Sequence, residues 1–257
     1  MEAAREHREP VWWGIVNATP DSFSDGGRTT EECVERGKEL ARRGAMALDV
    51  GGESTRPGWT PVGWREEWRR VSPVLEGLRG VAAISVDTRK RSVMRRALAA
   101  GAGCFNDVGG LSGRGVREWL AGEEFPVVLM HGMAHKLEEG ERRPVEVVRE
   151  WLARRLEWLE RGDVARERVI LDPGIGFGTT RDQDIALLEG VERLCGLGCV
   201  VAVGVSRKRV VRERLAREGE GVDAASARIS LEAWKAGAGL LRVHEVPKRV
   251  AGGAGRG

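Results

Sequence analysis

Short apolar runs alternate with longer amphipathic stretches along the chain. The short runs predict strands over Val11–Val16, Met46–Val50, Ala83–Val86, Cys104–Asn106, Val127–Met130, Val169–Leu171, Val200–Val203 and Leu240–Val243. The stretches between them, such as Thr30–Arg43, Arg65–Leu78, Lys90–Ala100 and Pro144–Arg161, carry apolar residues at helical spacing. In the last of these, Trp151, Leu152, Leu156 and Leu159 share a face, and Gly162 stops the helix. Eight strands alternating with helices predict an α/β fold, a single-domain (β/α)8 TIM barrel, which typically takes about 250 residues. A doubly wound open sheet is the rival; it usually has fewer strands, and no GxGxxG follows the first strand here.

The expected organisation is a tail over residues 1–10, a barrel over 11–250 and a disordered tail over 251–257, AGGAGRG. Between the eighth strand and that tail lie only residues 245–250. A three-turn closing helix needs about eleven residues, so the last helix is expected to be abbreviated to two turns at most. The opening MEAAREHREP has no apolar stretch and does not read as a signal peptide.

The 42 basic and 39 acidic residues leave a net charge of +3. They are interspersed, which fits solvated helix faces and argues against a nucleic-acid surface. No apolar run approaches the ~18 residues of a membrane span. Cys33, Cys104, Cys195 and Cys199 form no CxxC pair and have no His at zinc-finger spacing. They read as thiols in a reducing cytoplasm.

Chemistry-bearing residues stand just after each predicted strand, where a barrel carries its active site. In order they are Asn17; Asp49, leading into GGESTRPG; Asp87-Thr88; Asn106-Asp107; His131; Asp172-Pro173-Gly174; Ser206-Arg207-Lys208; and Arg242-Val243-His244. Any one could be a cap or turn residue; eight on one rim are hard to read that way. Asp87, Asn106, Asp107 and Asp172 suit a flat heterocycle bearing ring N–H and amino groups. Arg56, Lys208, Arg242 and His244 suit anions, with Arg able to grip phosphate bidentately. The rim thus divides into a heterocycle side and an anion side.

Taken together, NATPDSFSDGG, LDVGGESTRPG, ISVDTRK, FNDVGGL, ILDPGIGFG, GVSRK and LRVHEV resemble, in order, the signature segments of the dihydropteroate synthases. The resemblance runs from about Val11 to Val246. It implies a transferase of folate biosynthesis that condenses 6-hydroxymethyl-7,8-dihydropterin pyrophosphate with p-aminobenzoate. It implies that Asp87, Asn106, Asp172, Lys208 and Met130 hold the pterin, and that Asn17, Thr55, Arg56, Arg242 and His244 hold the pyrophosphate. Thr55, Pro57, Phe177, Lys208 and Arg209 would form the aminobenzoate pocket. Asp87, Lys208, Asn17 and Arg56 would carry the catalysis, and Asn17 would lie near a Mg²⁺ cofactor. A homodimer, a cytoplasmic location and sensitivity to sulfonamides are further family expectations, with small molecules as the partners and neither nucleic acid nor membrane. The loops Pro20–Gly27 and Gly52–Pro61 are expected to be mobile until ligand binds.

The chain departs from the family pattern at Ala18 (usually Val), in LMHGMAH (usually LMHMQG), at Thr179 (usually Lys) and at Arg209 (usually a small hydroxyl residue). Arg209 could grip the aminobenzoate carboxylate or crowd it. Two rivals share much of this pattern. A methyltetrahydrofolate–corrinoid methyltransferase-like barrel would lack the TPDSFSDGG, SRK and RVH segments. A non-catalytic pterin-binding paralogue would have lost a central residue.

Overall fold

The alternation of short and long elements resolves into a closed barrel. The computed structural model describes residues 9–19, 29–54, 60–133 and 135–247. Eight parallel strands pair in sequence order, and the first closes onto the last. They are β1 (Trp12–Asn17), β2 (Ala47–Gly51), β3 (Ala83–Asp87), β4 (Cys104–Asp107), β5 (Val127–Met130), β6 (Val169–Asp172), β7 (Val200–Val203) and β8 (Leu240–Val243). The helices are α1 (Thr30–Arg42), α2 (Trp64–Gly77), α3 (Arg91–Ala99), α4 (Val116–Ala121), α5 (Pro144–Glu160), α6 (Arg181–Glu189), α7 (Val191–Cys195) and α8 (Val222–Lys235). No helix among the described residues is long and apolar enough to cross a membrane.

Strand ends run slightly beyond the sequence expectation. Asn17, Asp87, Asp107 and Asp172 are the last residues of their strands rather than the first of their loops. Each is still in register with a neighbouring strand: Asn17 with Gly51, Asp87 with Asn106, Asp107 with Leu129 and Asp172 with Met130. Their polar side chains do not end the ladder, because the backbone makes it. The beginnings of α1 and α6 are set by capping boxes, Thr29 with Glu32 and Thr180 with Gln183. No helix appears over residues 245–247; the abbreviated closing helix, the two tails and the loop 20–28 otherwise lie outside the described residues.

The period of two along each strand builds two cores. Outward-facing Leu48, Val50, Phe105, Leu129, Leu171, Leu241 and Val243 pack under helix residues such as Leu40, Leu75, Leu152 and Leu156. Inward-facing Trp13, Ala47, Cys104, Val128, Ala202 and Leu240, with Ile170 against them, fill the lower barrel. Trp13 supplies the bulk where Ala47 and Ala202 leave room. This floor is packed and apolar, as barrel interiors of this size are. It fixes the height at which the chemistry begins.

Candidate active site

Two residues further along the same strands, on the same inward face, the apolar floor gives way to Asp49, Asn106, Met130, Asp172 and Arg242. Asp87 stands two beyond the buried Ser85, and Asn17 four beyond Trp13. Alternation alone therefore gathers side chains from seven strands at the barrel mouth.

Asp49 is the pivot of this layer. It is 1% exposed, and its Oδ2 accepts from Asn106 Nδ2 at 3.1 Å and from Arg242 Nη2. The same guanidinium nitrogen lies 3.3 Å from Asp87 Oδ2. Position 204 is glycine, and a Cβ there would lie 3.6–3.7 Å from Arg242. Burial would lower the Arg242 pKa, but Asp49, Asp87 and Asp172 together raise it, so the guanidinium stays charged. Burial raises Asp87 to about 8, and the negative charge of Asp49 adds to the rise while Arg242 opposes it. Asp107 rises to about 6, again through burial, although Oδ1 accepts the Gly109 N–H at 2.6 Å.

Several buried polar atoms here have no hydrogen-bond partner among the described residues: Asp49 Oδ1, Asn106 Oδ1, Asp107 Oδ2 and Arg242 Nε. Buried polar groups are nearly always satisfied, so such a set marks a surface shaped for a polar ligand. Asp172 Oδ1 holds the Gly174 N–H at 2.7 Å. Gly174 has φ +74°, and a Cβ there would meet the His131 carbonyl oxygen at 1.6 Å. Only glycine fits, and that fixes the turn aiming Asp172 inward.

After the neighbouring strand β7, Arg207 adopts φ +58° and Lys208 follows it into the mouth. The Arg207 N–H donates to Ser226 Oγ at 3.1 Å, and its guanidinium grips Asp223 through two bonds of 2.7 and 2.9 Å. Arg207 is thus committed to α8, which leaves Lys208 to face the site. Its ammonium donates to the Ile175 carbonyl and lies 4.6 Å from the Phe177 ring centroid. Burial lowers its pKa to about 8, with the charge of Asp172 opposing the fall. His244 is set by Ser206, whose Oγ lies 3.0 Å from both its N–H and its Nδ1, and its carbonyl accepts from Arg36.

The sequence-predicted residues Asn17, Asp87, Asn106, Met130, Asp172, Phe177, Lys208, Arg242 and His244 are therefore gathered at one rim. Thr55, Arg56 and Pro57 lie outside the described residues. One expectation changes. The heterocycle and anion sides are not separate, because Arg242 ends on Asp49 and Asp87. A buried guanidinium takes the nearest carboxylates as counter-charges. Arg209, whose part in the aminobenzoate pocket is left as an expectation, is exposed two residues before the turn over Val211–Leu215.

At the other departures, Thr179 is buried and bonded to Asp184. In LMHGMAH, His131 and His135 pack on Trp151 of α5, with ring centroids 5.2 and 6.1 Å away. Burial depresses His131 to about 4, helped by His135; it is neutral at ordinary pH.

Two residues, Glu53 and Asp184, were missed as site members, and a third, Asp49, was placed on the rim but given no role. Asp49 was readable as a carboxylate inside a wholly buried strand. Glu53, of GGESTRPG, meets Arg89 and Lys90, and Lys90 also meets the fully buried Glu67; nothing in local spacing joins these. Asp184 lies on a helix, where an acid reads as solvated. No group of three or more potential metal ligands occurs among the described residues. A separate cavity of about 240 Å³ lies at the opposite end of the barrel, among Leu75, Arg79, Ile84 and Ala102. Apart from Arg79 its lining carries no charge.

The geometry is that of a barrel enzyme with a polar mouth above an apolar floor. The chain belongs to the pterin-binding enzyme family, whose model matches residues 13–244. Its extensively matching relatives are dihydropteroate synthases, and with them it falls in the transferase class. It is 38% identical over 240 residues to the dihydropteroate synthase of Streptococcus pyogenes serotype M6, covering 91% of this chain and 89% of that protein.

The Xanthomonas albilineans dihydropteroate synthase has been solved with 4-aminobenzoic acid (44% identity, TM-score 0.84) and with 7,8-dihydropteroate (39%, TM-score 0.79). Each alignment covers 93% of this chain and 88% of that one. A probable bifunctional folylpolyglutamate synthase/dihydropteroate synthase of Halobacterium salinarum is 38% identical over 245 residues. The match takes in 93% of this chain, which spans only 30% of that longer protein.

Proposed function

We propose that this chain condenses 6-hydroxymethyl-7,8-dihydropterin pyrophosphate with p-aminobenzoate, giving 7,8-dihydropteroate and pyrophosphate. The observation that carries the reading is the inward layer of Asp49, Asp87, Asn106, Asp172 and Arg242 above an apolar floor. Its open acceptors suit the ring N–H and amino groups of a pterin. Lys208 and Phe177 border it on the side where the second substrate would enter.

In the reaction the bond from the pterin methylene to the diphosphate oxygen breaks, and the electron pair leaves with the diphosphate. The aniline nitrogen forms the new C–N bond and then releases its proton. Positive charge develops on the pterin methylene and negative charge on the leaving oxygens. Ionised Asp87, facing the ring, stabilises the first. Arg242, His244, Asn17, Arg56 and Thr55 are assigned to the second. Phe177, Pro57 and Thr55 would wall the aminobenzoate, whose carboxylate Lys208 and Arg209 would meet, and Met130 would pack against the pterin. No covalent enzyme intermediate is required.

Asn17 offers one side-chain oxygen and no carboxylate cluster stands beside it among the described residues, so the donor set fits a Mg²⁺ that keeps waters and arrives on the diphosphate. Such an ion would add charge neutralisation at the leaving group. We further place the protein in the cytoplasm as a homodimer, with sulfonamides competing for the aminobenzoate pocket.

The test is turnover of the purified protein with both substrates. Dihydropteroate and pyrophosphate should appear in equal amounts, and sedimentation should report the dimer. Methyl transfer from methyltetrahydrofolate without condensation would establish the corrinoid-type rival instead. Tight pterin binding without either reaction would leave a non-catalytic binder.

A further inference from the structure

We propose that Asp184, on the outer side of the β6–α6 loop, is a positioning residue for Lys208, acting through the Ile175–Gly176 peptide. The inference rests on the role given to Lys208 above. Asp184 sits in the first turn of α6 and is 1% exposed. Its Oδ1 accepts the Gly176 N–H at 2.7 Å and the Thr179 hydroxyl, and that hydroxyl oxygen itself lies 3.0 Å from the same N–H. On the other edge of this peptide, the Ile175 carbonyl accepts the Lys208 ammonium.

A trans peptide points its C=O and N–H in opposite directions within one rigid plane. One plane therefore carries a carboxylate anchor on one edge and the ammonium on the other. A carboxylate drawing on the N–H also polarises the carbonyl, which makes it the better acceptor for Lys208.

The loop needs such an anchor. Gly174, Gly176 and Gly178 all have φ between +74° and +79°, and glycines with that freedom do not hold a conformation by themselves. A side chain at Gly176 would press on Lys208, because its Cβ would lie 2.9 Å from Lys208 Cδ. The lysine stem thus lies directly over the anchored peptide. Without Asp184 the peptide can rotate and present its N–H to the ammonium. The charged groups that act on Lys208 are Asp172 on β6, Arg242 on β8, Asp87 on β3 and Asp184 on α6. Of these, Asp184 alone belongs to a helix outside the barrel mouth.

The experiment compares Asp184→Ala, Asp184→Asn and Thr179→Val. Asparagine keeps the oxygen that accepts the Gly176 N–H; alanine does not. Misplacement of a group in contact with substrate costs up to about a hundredfold. Asp184→Ala should therefore lower kcat/KM for the pterin substrate by about ten- to a hundredfold. Asp184→Asn should restore it to within about threefold of the wild type, with Thr179→Val between the two. A merely structural role would lower Tm in proportion while leaving kcat/KM per folded molecule unchanged, and that result overturns the proposal. So does Asp184→Asn as damaged as Asp184→Ala.

A second readout needs no turnover. The Lys208 Cε resonance, assigned through Lys208→Arg, should titrate at lower pH in Asp184→Asn, because a stabilising negative charge has gone. An unmoved titration in both Asp184 variants also overturns it, whether or not the wild type condenses the two substrates. Absence of turnover in the wild type, with the titration shifted, sinks the reaction and leaves the positioning link standing.

Discussion

The floor of the barrel and the mouth above it are built from the same strands, on the same inward face, two residues apart. Trp13, Ala47, Cys104, Val128 and Leu240 make the lower layer, and Asp49, Asn106, Met130 and Arg242 stand above four of those strands. The floor is an ordinary packed interior. The layer above it sets three acids, Asp49, Asp87 and Asp172, against the cations Arg242 and Lys208, with several polar atoms unsatisfied. The period of the strand thus stacks stability beneath chemistry within a few ångströms. The two layers should respond to mutation in opposite ways.

Trp13→Ala tests the floor, and the expected effect is the largest here. Truncating a buried Trp costs about 3–5 kcal/mol of folding stability, read by chemical denaturation. Pterin binding by the fraction that remains folded should change little. If affinity collapses instead, the two layers are one unit and the comparison fails.

In the mouth, the order reverses. Asp172→Ala should cost about 1.5–3 kcal/mol of binding, or ten- to a hundredfold, for a pterin without its diphosphate, with a small change in Tm. Arg242→Ala should weaken diphosphate binding by a similar factor. Because Arg242 also holds the Asp87 pKa down, its loss leaves Asp87 still more protonated and should weaken the bare pterin as well. Calorimetry in which Arg242→Ala bound bare pterin normally would restore two separate sides to the rim.

A weaker effect comes from pH. Asp87 titrates near 8 through burial, and ring donors require its ionised form, so bare-pterin affinity should rise as pH approaches 8 with a proton released on binding. Lys208 also titrates near 8 but is needed protonated, so affinity should fall above that value. The profile should peak near pH 8 and drop by up to about tenfold per pH unit on either side. Titrations in buffers of different ionisation heat measure the proton count. A flat profile from pH 6 to 9 would remove both groups from the binding step.

The smallest change is Gly204→Ala. A Cβ there makes ordinary contacts with Arg242 at 3.6–3.7 Å. Loss of unfolded-chain freedom should then raise stability by about 0.4–1 kcal/mol. A fall in Tm would mean that the mouth is packed as tightly as the floor.

What could be read from the sequence follows the same division. The strands and the residues that cap them were legible because inward and outward positions alternate, and because motif residues such as Asp87, Asp172 and Lys208 sit at fixed offsets from an apolar run. Contacts across the barrel were not. That Arg242 meets Asp49 depends on closure between residues 193 positions apart. Glu53 with Lys90 and Asp184 with the Ile175–Gly176 peptide are likewise products of loop geometry. Asp49 was the partial case: its burial followed from ALDVG, but its partners did not. The strand-end residues were displaced by one position because polarity was read as a loop signal where the backbone ladder continues.

The Trp13 floor has a consequence for traffic. A barrel plugged at one end has a single door, so everything that enters must leave the way it came. On the assignment proposed above, the pterin occupies the deepest berth and the aminobenzoate stands between it and solvent. An aminobenzoate that arrives early blocks the entrance, and the joined product must back out whole. The plug thereby imposes a queue: pterin first in, and the pterin end of the product last out.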